Sequence, residues 1–171
     1  VGGFRVDGFS SALAGAVGEQ VTREHGALAE EFARGDLDGF VGELAGELEV
    51  LSVGYSPSQR ILSKSGLMEL FDELISESEL TDLRDVQEIV SDFEMLDERI
   101  EELMNFVPRG REPKVFVGKS PITKSPHLSV IADRFTSKGR EYVVAAIGPK
   151  RMDYAENIKF FVTMKSVCGN N

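Results

Sequence analysis

His127-Leu-Ser-Val-Ile-Ala-Asp-Arg-Phe135, then Thr136-Ser-Lys-Gly139, then Arg140-Glu-Tyr-Val-Val-Ala-Ala-Ile-Gly148, and at once Pro149-Lys-Arg-Met-Asp-Tyr154: this stretch decides the fold. Two runs rich in apolar and β-branched residues, joined by a short turn, read as an antiparallel hairpin. Gly148 and Pro149 end the second strand, because proline has no N–H with which to continue a ladder. Asp153 and Glu156 stand at capping-box spacing, so a helix starts at Asp153 and runs through Ile158, Phe161 and Met164 to Gly169. A cap alone accounts for Pro149 and Asp153. It does not account for the full string Gly148, Pro149, Arg151, Met152, Asp153 and Tyr154, in which Met152 and Tyr154 flank the cap, one inward and one at the rim.

Working outward from the hairpin, Lys114–Gly118 predicts a strand after the helix-stopping Pro108-Arg-Gly-Arg-Glu-Pro113. A basic, proline-containing loop, Lys119–Pro126, leads back into the hairpin. Upstream, Leu83, Val86, Ile89, Val90, Phe93, Leu96, Ile100, Leu103 and Phe106 recur at steps of mostly three and four, which predicts one long amphipathic helix. Its charge run from Asp92 to Glu102 reads as a solvated face. There Asp97 lies beside Glu101 and Glu98 beside Glu102, a mildly self-repelling set that a Lys- or Arg-bearing partner relieves. A shorter helix covers about 66–75, and extended runs at Leu48–Gly54 and Arg60–Ser63 flank the turn former Tyr55-Ser-Pro-Ser58. Two further helices are expected, at Val21 to about Arg34 and around Leu37, Phe40, Val41 and Leu44. Residues 1–16 form a Gly-, Ser- and Ala-rich lead-in. The sum is α+β: an antiparallel sheet of about five strands flanked by helices, with residues 1–46 a helical lead-in and 47–171 the main domain.

Composition sets the function classes. A chain of 171 residues, 42% hydrophobic, buries about 70% of its unfolded surface and needs neither disulfides nor metals to hold a core. Eleven Phe against three Tyr and no Trp place the aromatic content inside that core, which argues against a stacking surface for bases or sugars. The single thiol, Cys168, has no partner for a bridge or a metal cluster, which fits a reducing, cytoplasmic setting. No apolar run approaches the roughly 20 residues of a membrane span, and the N-terminus lacks a basic-then-apolar signal pattern, so no membrane partner is expected. The chain opens on Val1 rather than Met, as a fragment, a processed product or an alternative start codon written literally would. Charge is unevenly spread. Residues 1–107 carry 24 acidic and 7 basic side chains, a net of −17, and residues 108–171 carry 5 and 12, a net of +7. Two surfaces of opposite sign that attract one another within one fold account for this.

Catalytic chemistry has few residues to work with. Nucleophilic catalysis needs an oriented base, and the two histidines, His25 beside Glu24 and His127 between Pro126 and Leu128, lie in no catalytic or metal-binding motif. Gly118-Lys119-Ser120 echoes the end of a phosphate-binding loop, but Pro113 and Lys114 stand where the upstream Gly belongs, and Pro121 replaces the helix that must follow. Carboxylate pairs are plentiful only along the acidic helix, where they face water. No catalytic residue, cofactor site, metal site or DNA-reading residue is assigned.

Ile147-Gly148-Pro149-Lys150-Arg151-Met152-Asp153-Tyr154 resembles the segment Ile-Gly-Pro-x-Arg-Met-Asp-Tyr with which the C-terminal domain of the heat-inducible transcription repressor family, HrcA, ends before its last helix. Ser65-Gly-Leu-Met-Glu-Leu-Phe71 and Lys114-Val-Phe-Val-Gly-Lys119 are similar, in the right order, to two further family stretches. The resemblance covers about residues 47–168. It implies a GAF-like domain from a homodimeric repressor that binds an inverted-repeat operator ahead of chaperone genes and depends on the chaperonin to stay active. Two family features are not seen in the sequence: the N-terminal winged helix that reads DNA, and the inserted dimerisation subdomain, for which Gly54–Arg60 leaves no room. Operator DNA is therefore expected to be reached only through an upstream domain. A stand-alone GAF-like sensor of small ligands and a protein-interaction module that uses the acidic helix remain the alternatives.

Overall fold

The computed structural model describes residue 34, residues 36–110 and residues 112–168, with backbone alone for Val167 and Cys168. The expected helix at Val21–Arg34, apart from Arg34 itself, the lead-in at 1–16 and His25 lie outside the described residues. The described elements follow one another as α1 (Leu37–Leu48), β1 (Leu51–Ser56), β2 (Ile61–Ser65), α2 (Leu67–Ser76), α3 (Leu83–Glu94), α4 (Leu96–Met104), β3 (Lys114–Val117), β4 (Leu128–Ser137), β5 (Arg140–Pro149) and α5 (Tyr154–Cys168). All strand pairings are antiparallel, in the order β2-β1-β5-β4-β3.

Side chains alternate across a strand, so each strand feeds two cores. Tyr142, Val144 and Ala146 of β5 pack with Ile131 and Phe135 of β4 against Phe40, Val41 and Leu44 of α1 and Ile158, Phe161 and Met164 of α5. Val143, Ala145 and Ile147 point the other way, onto Leu70 and Leu74 of α2, Ile89 of α3, and Leu96, Ile100 and Leu103 of α4. Each of these large side chains, once buried, contributes about 1.5–3 kcal/mol relative to an exposed position. Helices on both faces explain why β5 is apolar almost without interruption. The α+β fold expected from the sequence is the fold observed.

The central hairpin is tighter than its sequence suggests. Ser137 pairs with Arg140, leaving only Lys138 (φ 52°) and Gly139 (φ 76°) in the turn. Two left-handed residues make a type I′ turn, whose twist matches that of the strands it joins. The expected four-residue turn Thr136–Gly139 thus shrinks to two, and β4 gains Thr136 and Ser137.

The expected single helix from Leu83 to Phe106 is two helices, parted at Met95 (φ −87°, ψ −1°). Periodicity cannot reveal this break, because Phe93, Leu96 and Ile100 all pack towards the same core on either side of it. The partner at the break comes from the sheet. Lys64 of β2 donates to the Phe93 carbonyl at 2.9 Å, an oxygen that an unbroken helix would offer to the N–H of Asp97. The same ammonium lies 4.3 Å above the Phe93 ring and 3.7 Å from the Asp97 carboxylate. At the far end of α4, Arg134 of β4 donates to the carbonyls of Met104 and Val107, both at 2.7 Å, and to Glu141 at 2.8 Å. Those carbonyls lack intrahelical donors, and an arginine fork beside the negative end of the helix supplies them.

Gly66 is where the first helical layer meets the sheet. It caps α2 at φ 102°, and a Cβ there would stand 2.3 Å from the Val50 carbonyl oxygen and 2.8 Å from the Ala45 Cβ. Gly139 has a positive φ but open space around it. Gly66→Ala is therefore expected to lower the unfolding free energy by roughly 2–4 kcal/mol, through strain and backbone overlap together. Gly139→Ala costs about 1 kcal/mol, from conformation alone. Urea unfolding of the two variants measures the difference.

Candidate functional site

The string Gly148–Tyr154 closes β5 and opens α5, and its side chains divide into those that build the junction and two, Lys150 and Arg151, that do not. Gly148 faces the α1/α5 core beneath Met152: a Cβ on it would come within 3.1 Å of the Met152 Cε and 3.5 Å of the Val50 Cγ1. A side chain at 148 would press on the end of the methionine, which is buried there. Pro149 is the last paired residue of β5, opposite Leu128 rather than beyond the sheet. Its carbonyl accepts from the Met152 N–H at 2.9 Å, and the Lys150 N–H then donates to the His127 carbonyl at 2.8 Å. Asp153 caps α5, its Oδ1 accepting from the Glu156 N–H at 3.1 Å. Its own carbonyl accepts from the N–H of Asn157 at 3.1 Å and from that residue's side-chain amide at 2.8 Å.

Tyr154 ties this turn to the neighbouring strands. Its hydroxyl lies 2.8 Å from Ser129 Oγ on β4 and also meets the Lys150 carbonyl. A carbonyl only accepts, so the phenolic proton goes to Lys150 and the serine hydroxyl completes the contact. Ser129 Oγ in turn accepts from the Gly118 N–H, just past β3, at 3.1 Å. Three strand ends and one helix start thus share a chain of hydrogen bonds that runs from the buried Gly118–Ser129 contact out to the surface at Lys150. The side chains of Lys150 and Arg151 stand outside: both are exposed, and Arg151 has one contact, of 3.6 Å, to Glu79.

Beneath the turn lies a polar knot that spacing did not announce. His127 has its Nε2 3.1 Å from Asp85 Oδ1 and its Nδ1 3.7 Å from Glu79 Oε2. Both ring nitrogens face carboxylates, and the contact to Asp85 fixes the ring's orientation. Asp85 also closes a capping box with Asp82 at the start of α3 and accepts from the N–H and hydroxyl of Thr81. These bonds, the Thr81 N–H first, hold its carboxyl down at about 2.

Asp92 corrects the reading of the acidic run. It does not face water: it is 3% exposed, and it anchors the loop between β3 and β4. Its two oxygens accept from the N–H groups of Lys124 and Ser125, both at 2.9 Å, and from Arg99 Nη1 at 2.9 Å. Arg99 also donates to the Ile122 carbonyl at 3.1 Å. A buried carboxylate needs such partners, and the usable signal was an Asp at helical spacing among core positions, four residues before Leu96. A second buried acid, Asp133 on β4, pairs with Lys165 of α5 at 2.9 Å; burial outweighs that partner and raises its carboxyl above the ordinary value. Among the described residues no His, Cys, Asp and Glu cluster could hold a metal ion, and no helix is long and apolar enough to cross a membrane.

The site is thus a junction that fixes the end of a central strand, in an α+β domain of the kind that supports other functions by its shape. The family model described as the HrcA protein C terminal domain matches residues 9–158, and the chain belongs to that family. The family is one of transcription repressors of the heat-shock response, not of enzymes. The match starts upstream of residue 47, where the resemblance begins in the sequence. No curated protein and no solved structure matches the chain.

Two outcomes follow from the knot. Asp92→Ala leaves Arg99, 14% exposed, without its counter-charge and frees two loop amides, so unfolding free energy in urea should fall by about 3–5 kcal/mol. For Asp85 the folded value lies below the unfolded one, so its stabilisation is present above about pH 4 and is lost as pH falls through about 2. Asp85→Asn should flatten the acid limb of a stability–pH curve over that window, and an unchanged limb would exclude the assignment.

Proposed function

We propose that this chain is the regulatory part, the part that does not read DNA, of a heat-shock transcription repressor that holds down chaperone genes. The observation that carries this reading is the family match over residues 9–158, with the Gly148–Tyr154 junction inside it. On this reading the domain is GAF-like, works in the cytoplasm as a homodimer, and reaches its operator through a winged helix upstream. The chaperonin is its activating partner. The charge balance supports the division of labour: a domain at −10 overall is repelled by a phosphate backbone and needs a separate module to approach it.

Removing the native gene in its host is expected to raise chaperone transcripts severalfold at normal growth temperature, measured by quantitative transcript counting. Unchanged transcripts contradict the proposal. In purified form, the chain's melting temperature should rise on adding chaperonin and stay constant across a nucleotide series. The reverse pattern would move the assignment to a small-ligand sensor.

A further inference from the structure

We infer that the end of the sheet around the Gly148–Tyr154 junction is a docking surface for an acidic protein segment that carries an apolar residue. Lys119, Lys124 and Lys150 are exposed, and among the described residues no hydrogen bond or ion pair engages their ammonium groups. Arg151 beside them has only its 3.6 Å contact to Glu79. Several other cations are engaged, Lys64 with Phe93 and Asp97, Arg99 with Asp92, Arg109 and Arg134 with Glu141, and Lys165 with Asp133, while Arg60, Arg84, Lys138, Arg140 and Lys159 are exposed at other places in the fold. In a protein with ten excess negative charges, three free lysines in one place are conspicuous.

The four cations belong to one surface. Lys150 is bonded through its N–H to His127, two residues past Ser125, and Tyr154 is bonded through Ser129 to Gly118, the neighbour of Lys119. The platform is rigid. Lys-Ser-Pro occurs twice in the loop, at 119–121 and 124–126, and both serines turn inward: Ser120 Oγ accepts from the N–H groups of Ile122 and Thr123, and Ser125 Oγ from that of His127. Asp92 holds the loop from below by two amides, and Ile122 is buried. The acids bordering the surface are in use, Glu79 and Asp85 on His127 and Asp153 on the α5 cap. A preorganised set of unpaired charges loses little entropy on meeting its counterpart.

The charge pattern selects the partner. Three of the four cations are lysines, compact point charges on flexible stems that can meet carboxylates in varied geometry. Val117 at the end of β3, two residues from Lys119, is 52% exposed and offers an apolar contact that a nucleic-acid backbone cannot use. A duplex, with a charge at about every 1.7 Å, would also meet the repulsion of the acidic helices, whereas a short segment meets the cationic rim alone.

Fluorescence anisotropy of the whole chain with a short labelled peptide of Glu and Asp with one central Leu tests this. Saturable, salt-sensitive binding is expected, weakened roughly tenfold in the triple variant Lys119→Gln, Lys124→Gln, Lys150→Gln, as three exposed ion pairs imply. The melting temperature of that variant should be unchanged, and Lys159→Gln on α5 should bind as the parent does. Absence of saturable binding, equal binding by the triple variant, or tighter binding of a labelled DNA duplex than of the peptide would each overturn the inference. Because the peptide is neither chaperonin nor operator, its failure leaves the repressor reading to its own transcript test.

Discussion

Strand β5 is paired along ten residues with β4 and along five with β1, and from Tyr142 to Pro149 it is buried on both faces. Such a strand must be ended without leaving donors and acceptors unmet in a dry interior, since each buried polar group without a partner costs about 1–3 kcal/mol. The Gly148–Tyr154 segment is the solution to that constraint. Proline supplies a residue with no N–H at the last rung, Lys150 gives its N–H to the neighbouring strand, Asp153 takes the amide of Glu156, and Tyr154 reaches back to Ser129 and the Lys150 carbonyl. Met152 then seals the core over a glycine that leaves room for it.

A string with no catalytic group in it thus has a physical reason to exist. Gly148, Pro149, Met152, Asp153 and Tyr154 need one another, because each satisfies or covers a group that another exposes. Arg151 is outside this logic. Its side chain is exposed and packs into none of these contacts.

Much of the architecture was legible in the residues. The strand of alternating core residues, the proline at its end, the cap at Asp153 and the helical spacing of Leu67, Leu70, Phe71 and Leu74 are local signals, and local signals survive folding. What escaped were contacts between elements far apart in sequence. The break at Met95 depends on Lys64, some thirty residues earlier, claiming the Phe93 carbonyl. The burial of Asp92 depends on a loop past residue 120 that brings two amides to it. An acid on a helix whose other acids face water looks like its neighbours until its distant partners are known. The pairing of His127 with Asp85 and Glu79 was hidden for the same reason.

The charge asymmetry also resolves into contacts. Part of the basic C-terminal half is spent on clamping helices: Arg134 on the end of α4, Lys165 on Asp133. Of the remainder, Lys119, Lys124, Lys150 and Arg151 lie in the loop before β4 and at the junction, and Lys138, Arg140 and Lys159 lie at the hairpin turn and on α5. That Gly148–Tyr154 is a mutually dependent packing junction rests most directly on the bond between Tyr154 and Ser129. A double-mutant cycle of Tyr154→Phe and Ser129→Ala, read by urea unfolding, measures it. The account predicts a coupling energy of about 1 kcal/mol, with each single change destabilising. A coupling indistinguishable from zero would contradict it.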